Sequence, residues 1–254
     1  MTQTDRRAGE WWREFFESVD CIPLSFFPDE DETADQVAGL TRLLELRAGE
    51  RVADICCGMG RHAIPLALAG MDVVGLDASA MMLHVARVLG EGVANLSLVR
   101  GNAARLPLRS ASFEVALNLF NSFGYFADDG QNLAVLDETA RCLRPGGRFL
   151  LETRNRAYQI LYAPYLEEVR LADGSPALIR CRYDQATHHL TSTWCDPEDV
   201  ERVLYRARIR LYGLDELQEM FDCADFEIDQ VCGQYDGSGF EGWERMLIVV
   251  AHRR

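Results

Sequence analysis

Residues 51–70 read RVADICCGMGRHAIPLALAG, and several chemistries are open to the side chains gathered there. Cys56 and Cys57, with Arg61 and His62 close behind, raise metal ligation or a redox pair, whereas Gly58 and Gly60 raise a cradle for a nucleotide. Structural zinc takes separated Cys and His pairs, and none of the eight cysteines forms a C-x-x-C. Adjacent side chains on extended backbone also point apart. The cysteines are scattered through a chain with no secretion signal, so they read as reduced thiols, with no metal expected. A strand ending in a glycine-rich turn that opens a helix directs backbone N–H groups at a ligand, and glycine lets the main chain approach it. Asp77, at the end of the next strand-like run, stands where a carboxylate can accept hydrogen bonds from both hydroxyls of a ribose.

A general base, where the reaction needs one, has to come from His62, His84, His188, His189 or Tyr125. His62 begins the first helix after the turn and reads as lining or structural, and His84 sits on an amphipathic helix. His188 and His189 adjoin an expected hairpin and point to opposite sides of it, so at most one faces a substrate. Arg206, Arg208 and Arg210 alternate with Tyr205, Ala207, Ile209 and Leu211, which puts three guanidinium groups on one face of a strand. That face either clamps an anionic acceptor such as a carboxylate or phosphonate, or is the wet side of an antiparallel sheet. All 26 basic residues are arginine. Walker A ATPases, protein kinases, pyridoxal-phosphate enzymes, Schiff-base aldolases and Tyr-Lys short-chain dehydrogenases are thereby excluded, since each needs a lysine. A net charge of −14 with no basic tract speaks against nucleic acid and for a small molecule.

The elements that must position these residues follow from periodicity. Residues 10–19 and 32–46 read as amphipathic helices joined by an acidic turn, PDEDE. RVADI, DVVGLD, LSLVRGNA, FEVALNLF and GGRFLLET then read as strands, with helices between them, which describes a doubly wound, mostly parallel sheet. From Asn155 to Tyr212 the rhythm changes to strand-like runs separated by turns at 173–176, 184–185 and 196–197, an antiparallel β insertion. A helix, LDELQEMFDCA, and two strands, FEIDQVC and RMLIVVAH, complete the core. The expected division is N-terminal helices over 1–47 covering the site, a Rossmann-like core over 48–153 and 213–254, and an insertion over 154–212 that caps the acceptor. The insertion carries nine arginines and eight carboxylates from Arg154 to Tyr212, so it is electrically distinct from its acidic platform. The N-terminus has no apolar run of signal-peptide length after its arginines, and no stretch approaches about 18 consecutive apolar residues, so a cytoplasmic protein is expected, with no membrane partner.

The motif VADICCGMG resembles the first motif of the class I S-adenosylmethionine-dependent methyltransferases, which typically reads VLDLGCGTG. Three further landmarks fall in register: Asp77, GNAARLP after the third strand, and LRPGGRFLL leading into the fifth. The closing MLIVVAHRR suits the antiparallel last strand of that fold, and NSFGYF resembles small-molecule members of the class. The resemblance implies S-adenosyl-L-methionine as cofactor and S-adenosyl-L-homocysteine as product. It places Asp54, Cys56, Cys57, Gly58, Gly60, Asp77, Ala78, Asn102, Ala103, Leu119 and Asn121 around that cofactor, with Asp54 at the methionine amino end and Asp77 at the ribose. Two departures stand out: Cys56 occupies the position of the family's first glycine, and Asn102 stands where an aspartate commonly accepts the adenine amino group. Phe123 and Tyr125 either present ring faces to the sulfonium or are core aromatics beneath the loop.

The expected function is methyl transfer to an N or O atom of a small metabolite or natural product. Tyr125, His188 and His189 are the catalytic candidates, and Phe123, Tyr125, Arg206 and Arg208 the acceptor contacts, in a monomer or homodimer. The rivals are a non-catalytic S-adenosylmethionine-binding module or pseudoenzyme and an NAD-linked oxidoreductase.

Overall fold

The computed structural model describes residues 10–17, 22–23 and 30–254. The chain enters through two helices, α1 (Trp11–Phe15) and α2 (Glu30–Leu43). It then alternates through β1 (Arg51–Ile55), α3 (Ala63–Leu68), β2 (Asp72–Asp77), α4 (Ala80–Leu89), β3 (Leu96–Arg100), β4 (Phe113–Asn118), α5 (Asp129–Cys142) and β5 (Leu143–Arg154). After a short helix, α6 (Arg156–Tyr162), come β6 (Tyr165–Arg170), β7 (Pro176–Asp184), β8 (His189–Cys195) and β9 (Val203–Arg210). The fold closes with α7 (Leu214–Cys223), β10 (Phe226–Cys232) and β11 (Met246–Arg253).

Seven strands form one sheet in the order β10-β11-β5-β4-β1-β2-β3, in which β11 runs antiparallel to both neighbours and the pairs from β5 to β3 are parallel. Successive strand residues face opposite sides, and both sides are covered. Val52, Val73 and Leu150 enter one buried cluster, while Ala53, Val74 and Phe149 enter the other. That double burial is why these strands read as continuous apolar runs. The helices are tied at their starts: Ser79 accepts from the Met82 amide to open α4, and Asp128 accepts from the Gln131 amide to open α5. Pro65 sits in the first turn of α3, where its missing N–H leaves no helical bond unmade.

The insertion forms a second, four-stranded antiparallel sheet in the order β6-β7-β8-β9. Its inner face joins α1 in a third buried cluster that includes Phe15, Ile179, Trp194 and Ile209. The register places Arg182, Thr191 and Arg208 in one rank and Arg180, Thr193 and Arg206 in the next, all on the other face. Energetics choose that orientation. Burying a large apolar side chain is worth about 1.5–3 kcal/mol, whereas an unpaired buried guanidinium costs several, so Arg206 and Arg208 stay exposed. Arg210, the third arginine of the expected face, is instead buried and paired with Glu216 and Asp129.

Three details differ from the sequence reading. Glu30, Asp31 and Glu32 of the expected acidic turn are the first turn of α2, where carboxylates complement the helix dipole. The insertion opens with α6, whose N-cap Asn155 accepts from the Ala157 amide. Only Trp11–Phe15 of the first expected helix is helical, and its residues 18–19, like 1–9 of the N-terminal segment, lie outside the described residues.

Candidate functional site

β1 and β4 are neighbours at the point where the strand order reverses, and in open α/β sheets ligands bind beyond the strand ends there. The turn after β1 is built from left-handed backbone: Cys56 has φ 65°, Gly58 55° and Gly60 81°. A Cβ on Gly58 would meet nothing within 4 Å, so the main chain there faces open space. At Gly60 a Cβ would lie 3.0 Å from Ile64 Cδ1, so this glycine serves the packing of the turn on α3. Cys56 takes the left-handed conformation without glycine's freedom, a strain on the order of 1–3 kcal/mol. Its thiol is pushed up out of the ionising range, first by burial and then by Asp77 and Asp54. Cys57 is likewise raised and packs toward Gly75 of β2, so neither sulfur is a thiolate nucleophile or redox centre.

Two carboxylates end β1 and β2. Asp77 accepts from the Gly58 amide at 2.9 Å and the Ser79 amide at 2.8 Å; burial raises its pKa and these donors pull it back. Asp54 has no such support. Among the described residues no donor reaches its carboxylate, and burial, then Asp77, lifts it from 3.8 to about 7. Beside the turn, Arg61 donates to Gln36 Oε1 at 2.6 Å and lies over the Phe120 ring. His62 Nε2 meets the same oxygen at 2.9 Å, and burial, then Arg61, lowers its pKa to about 3, so the imidazole is neutral.

The loop after β4 is fastened by β5. Glu152, buried, accepts from the Phe120 amide and from the Tyr235 hydroxyl, each at 2.7 Å. Asn121 Oδ1 accepts from the Arg154 amide at 3.0 Å. These bonds hold Phe120 and Asn121 at positive φ and carry Tyr125 forward against α1, where its ring stacks on Phe16 at 6.1 Å and meets Trp11 at 4.9 Å.

A cavity of about 490 Å³ joins all of this. One half is lined by Asp54, Cys56, Cys57, Gly58, Asp77, Ala78, Asn102, Ala103, Leu119 and Asn121. The other is lined by Trp11, Phe16 and Tyr125, by Ile179, Cys181, Ser192, Trp194, Ala207 and Ile209 from the inner face of the second sheet, and by Arg154, Glu167 and Arg245. Asn102 Oδ1 already accepts from the Ala104 amide at 2.9 Å, which leaves one lone pair for a ligand.

Six expected site residues lie elsewhere. Gly60 supports the turn from behind, and Phe123 is buried in the core against Tyr212. Arg206 and Arg208 are on the outer face of the second sheet. His188 pairs through Nδ1 with the Tyr183 hydroxyl at 2.8 Å, and His189 Nδ1 with the Thr187 carbonyl at 2.7 Å; neither lines the cavity. Glu152 and Arg154 line the cavity without having been among the expected site residues, and Arg61, singled out only beside the cysteine pair, lines it too. Glu152 alone left a signal, a carboxylate inside the apolar run FLLET.

A family model described as a methyltransferase domain matches residues 52–147. Demethylmenaquinone methyltransferase of Geobacillus kaustophilus is 36% identical over 197 residues, 73% of this chain and 74% of its own. The chain belongs to the class I S-adenosylmethionine-dependent methyltransferases. The fold of this methyltransferase is shared with solved structures. The CcbJ methyltransferase from Streptomyces caelestis matches with TM-score 0.76 and 23% identity, over 93% of this chain and 98% of its own. An amino pentose methyltransferase from Micromonospora echinaspora, solved with S-adenosylmethionine bound, matches with TM-score 0.65 and 21% identity, over 88% and 91%.

S-adenosylmethionine is the methyl donor of the family, and the methyltransferase's residues fit it. A buried carboxylate without a protein donor suits a cationic ammonium, and the bare backbone at Gly58 leaves room for close approach. Among the described residues no helix is long and apolar enough to cross a membrane.

Proposed function

We propose that this methyltransferase moves a methyl group to an N or O atom of a small molecule held in the aromatic half of the cavity. The observation that carries the reading is the continuity of that cavity, from the carboxylates at the ends of β1 and β2 to the inner face of the second sheet, with Tyr125 on its wall. The names of two relatives, a demethylmenaquinone methyltransferase and an amino pentose methyltransferase, support a small-molecule acceptor.

The bound cofactor supplies a methyl group already activated on a cationic sulfur, ready for in-line displacement. The protein's task is alignment and exclusion of water. Asp54 holds the methionine ammonium, and Asp77 offers its remaining lone pairs to the ribose. Asn102, Ala103 and Leu119 border the adenine, and Asn121 shapes the loop beside it. Tyr125 and Phe16 form the wall next to the transferring group. α1 and the 154–212 insertion cover the acceptor.

Calorimetry with S-adenosylhomocysteine tests the reading. Wild-type protein binds it, and Asp77→Ala loses roughly tenfold or more in affinity, the scale of removing a buried charged hydrogen-bond partner. Absence of binding at millimolar ligand overturns the reading. Binding without methyl transfer to any member of a broad acceptor panel identifies a non-catalytic binding module instead.

A further inference from the structure

We propose that the acceptor is a planar molecule with an acidic hydroxyl, a phenol or an enol, bound as its oxyanion by Arg154. This rests on the methyl-transfer reading and specifies its substrate.

The acceptor half of the cavity contains no poised imidazole. His62 is neutral and engaged with Gln36, while His188 and His189 lie outside. The Tyr125 phenol and the Cys56 thiol are held protonated by burial. Glu152 is fixed in place through Oε2, which accepts from both the Phe120 amide and the Tyr235 hydroxyl. What remains on the cavity wall is Arg154, Arg245, Glu167 and the fastened Glu152, with a Cys181–Ser192 pair at 3.4 Å. Of the two arginines, Arg154 has no carboxylate within ion-pair distance among the described residues. A neutral alcohol would find little help in losing its proton, whereas an acidic hydroxyl needs only to have its anion favoured.

Arg154 is placed to do this. It ends β5, its amide is fixed by Asn121, and its guanidinium donates to the Tyr165 hydroxyl at 3.4 Å. Among the described residues no carboxylate lies within ion-pair distance of it, and its other N–H groups have no protein acceptor. Tyr125 is near enough to feel both Cys56 of the glycine turn and Arg154. Arg154 thus lines the cavity directly beside Asn121, whose side chain borders the half with the two carboxylates, and we place the reacting oxygen at that join. The walls suit a flat ring: Trp11, Phe16, Tyr125 and Trp194 offer aromatic faces and edges, with Ile179 and Ile209 between.

The hydroxyl proton leaves to solvent as the acceptor binds. The oxyanion lone pair then forms the new O–C bond while the methyl–sulfur bond breaks, and that bonding pair stays on sulfur. Anion and sulfonium become two neutral products, so methylation also removes the charge that Arg154 holds.

para-Nitrophenol, titrated by its phenolate absorbance into protein saturated with S-adenosylhomocysteine, reads this directly. The bound probe should ionise about one pH unit lower than the free probe, a tenfold bias toward the anion. Arg154→Met should abolish the shift and weaken phenolate binding about tenfold, Arg154→Lys should keep part of it, and S-adenosylhomocysteine affinity should stay within about twofold in both. An unshifted or raised probe pKa overturns the proposal, as does a shift that survives Arg154→Met or a failure of the cofactor-loaded protein to bind the probe. A shift lost instead in Glu167→Gln overturns it in favour of a carboxylate base. Failure to bind S-adenosylhomocysteine is a separate result, and counts against methyl transfer itself.

Discussion

Asp54 and Asp77 are the same side chain at the ends of adjacent strands, yet their surroundings give them different work. Two backbone amides offset part of the burial that raises the pKa of Asp77, and through them it shapes the turn. Asp54 pays for its burial with a pKa near 7. Its ionisation penalises the folded chain above that pH and is relieved as pH falls toward the unfolded value of 3.8. A ligand ammonium needs the carboxylate, so below pH 7 binding must expel a proton and affinity should fall roughly tenfold per pH unit. Calorimetry of S-adenosylhomocysteine at about pH 6, in two buffers of different ionisation heat, should show that proton release in wild type and none in Asp54→Asn. At this scale the gathering of Asp54, Gly58 and Asp77 around one cavity was legible, because strand, glycine turn and distant acid occur in a fixed order. Arg154 was not, because it sits where one element type gives way to another and only the docking of β6 gives its side chain a direction. Arg206 and Arg208 were rightly placed on one face of a strand, and the apolar partners Ala207 and Ile209 then decide which face turns inward.

Among the elements, the loop after β4 is the join between the two sheets. The Arg210 amide donates to the Gly124 carbonyl at 2.8 Å, and Gly124 has φ 87°. A methyl group on that residue would overlap the Arg210 carbonyl oxygen. Gly124→Ala should therefore lower stability by about 2–4 kcal/mol, from left-handed strain plus overlap with backbone. Denaturant titration would show a lower midpoint with an unchanged slope. The element boundaries read from sequence were good where apolar strands alternate with capped helices. They failed for α6, whose cap Asn155 and Tyr158–Tyr162 ring pair at 4.3 Å were there to be read, but whose seven residues are too few for a period to emerge.

Across the whole molecule, the acidic chain keeps Arg206 and Arg208 outward and sets Trp11, Phe16, Tyr125 and Trp194 around the cavity. The inner face of the second sheet meets the cofactor half across that cavity, so the two should respond to mutation independently. Ile179→Ala removes about 2 kcal/mol or more of apolar contact from the acceptor wall. It should raise the acceptor KM about tenfold or more in a methylation assay while leaving the S-adenosylhomocysteine Kd within about twofold. Besides the Trp11 indole bond to the Arg208 carbonyl at 2.8 Å, the second sheet is carried by two main-chain bonds, the Arg210 amide to the Gly124 carbonyl at 2.8 Å and the Ala172 amide to the Ile22 carbonyl at 2.9 Å. Main-chain attachments of this kind place few demands on side chains. A protein joined this way can exchange inward-facing residues of the second sheet without disturbing the strand ends of the first, which makes that sheet the adaptable wall of the cavity.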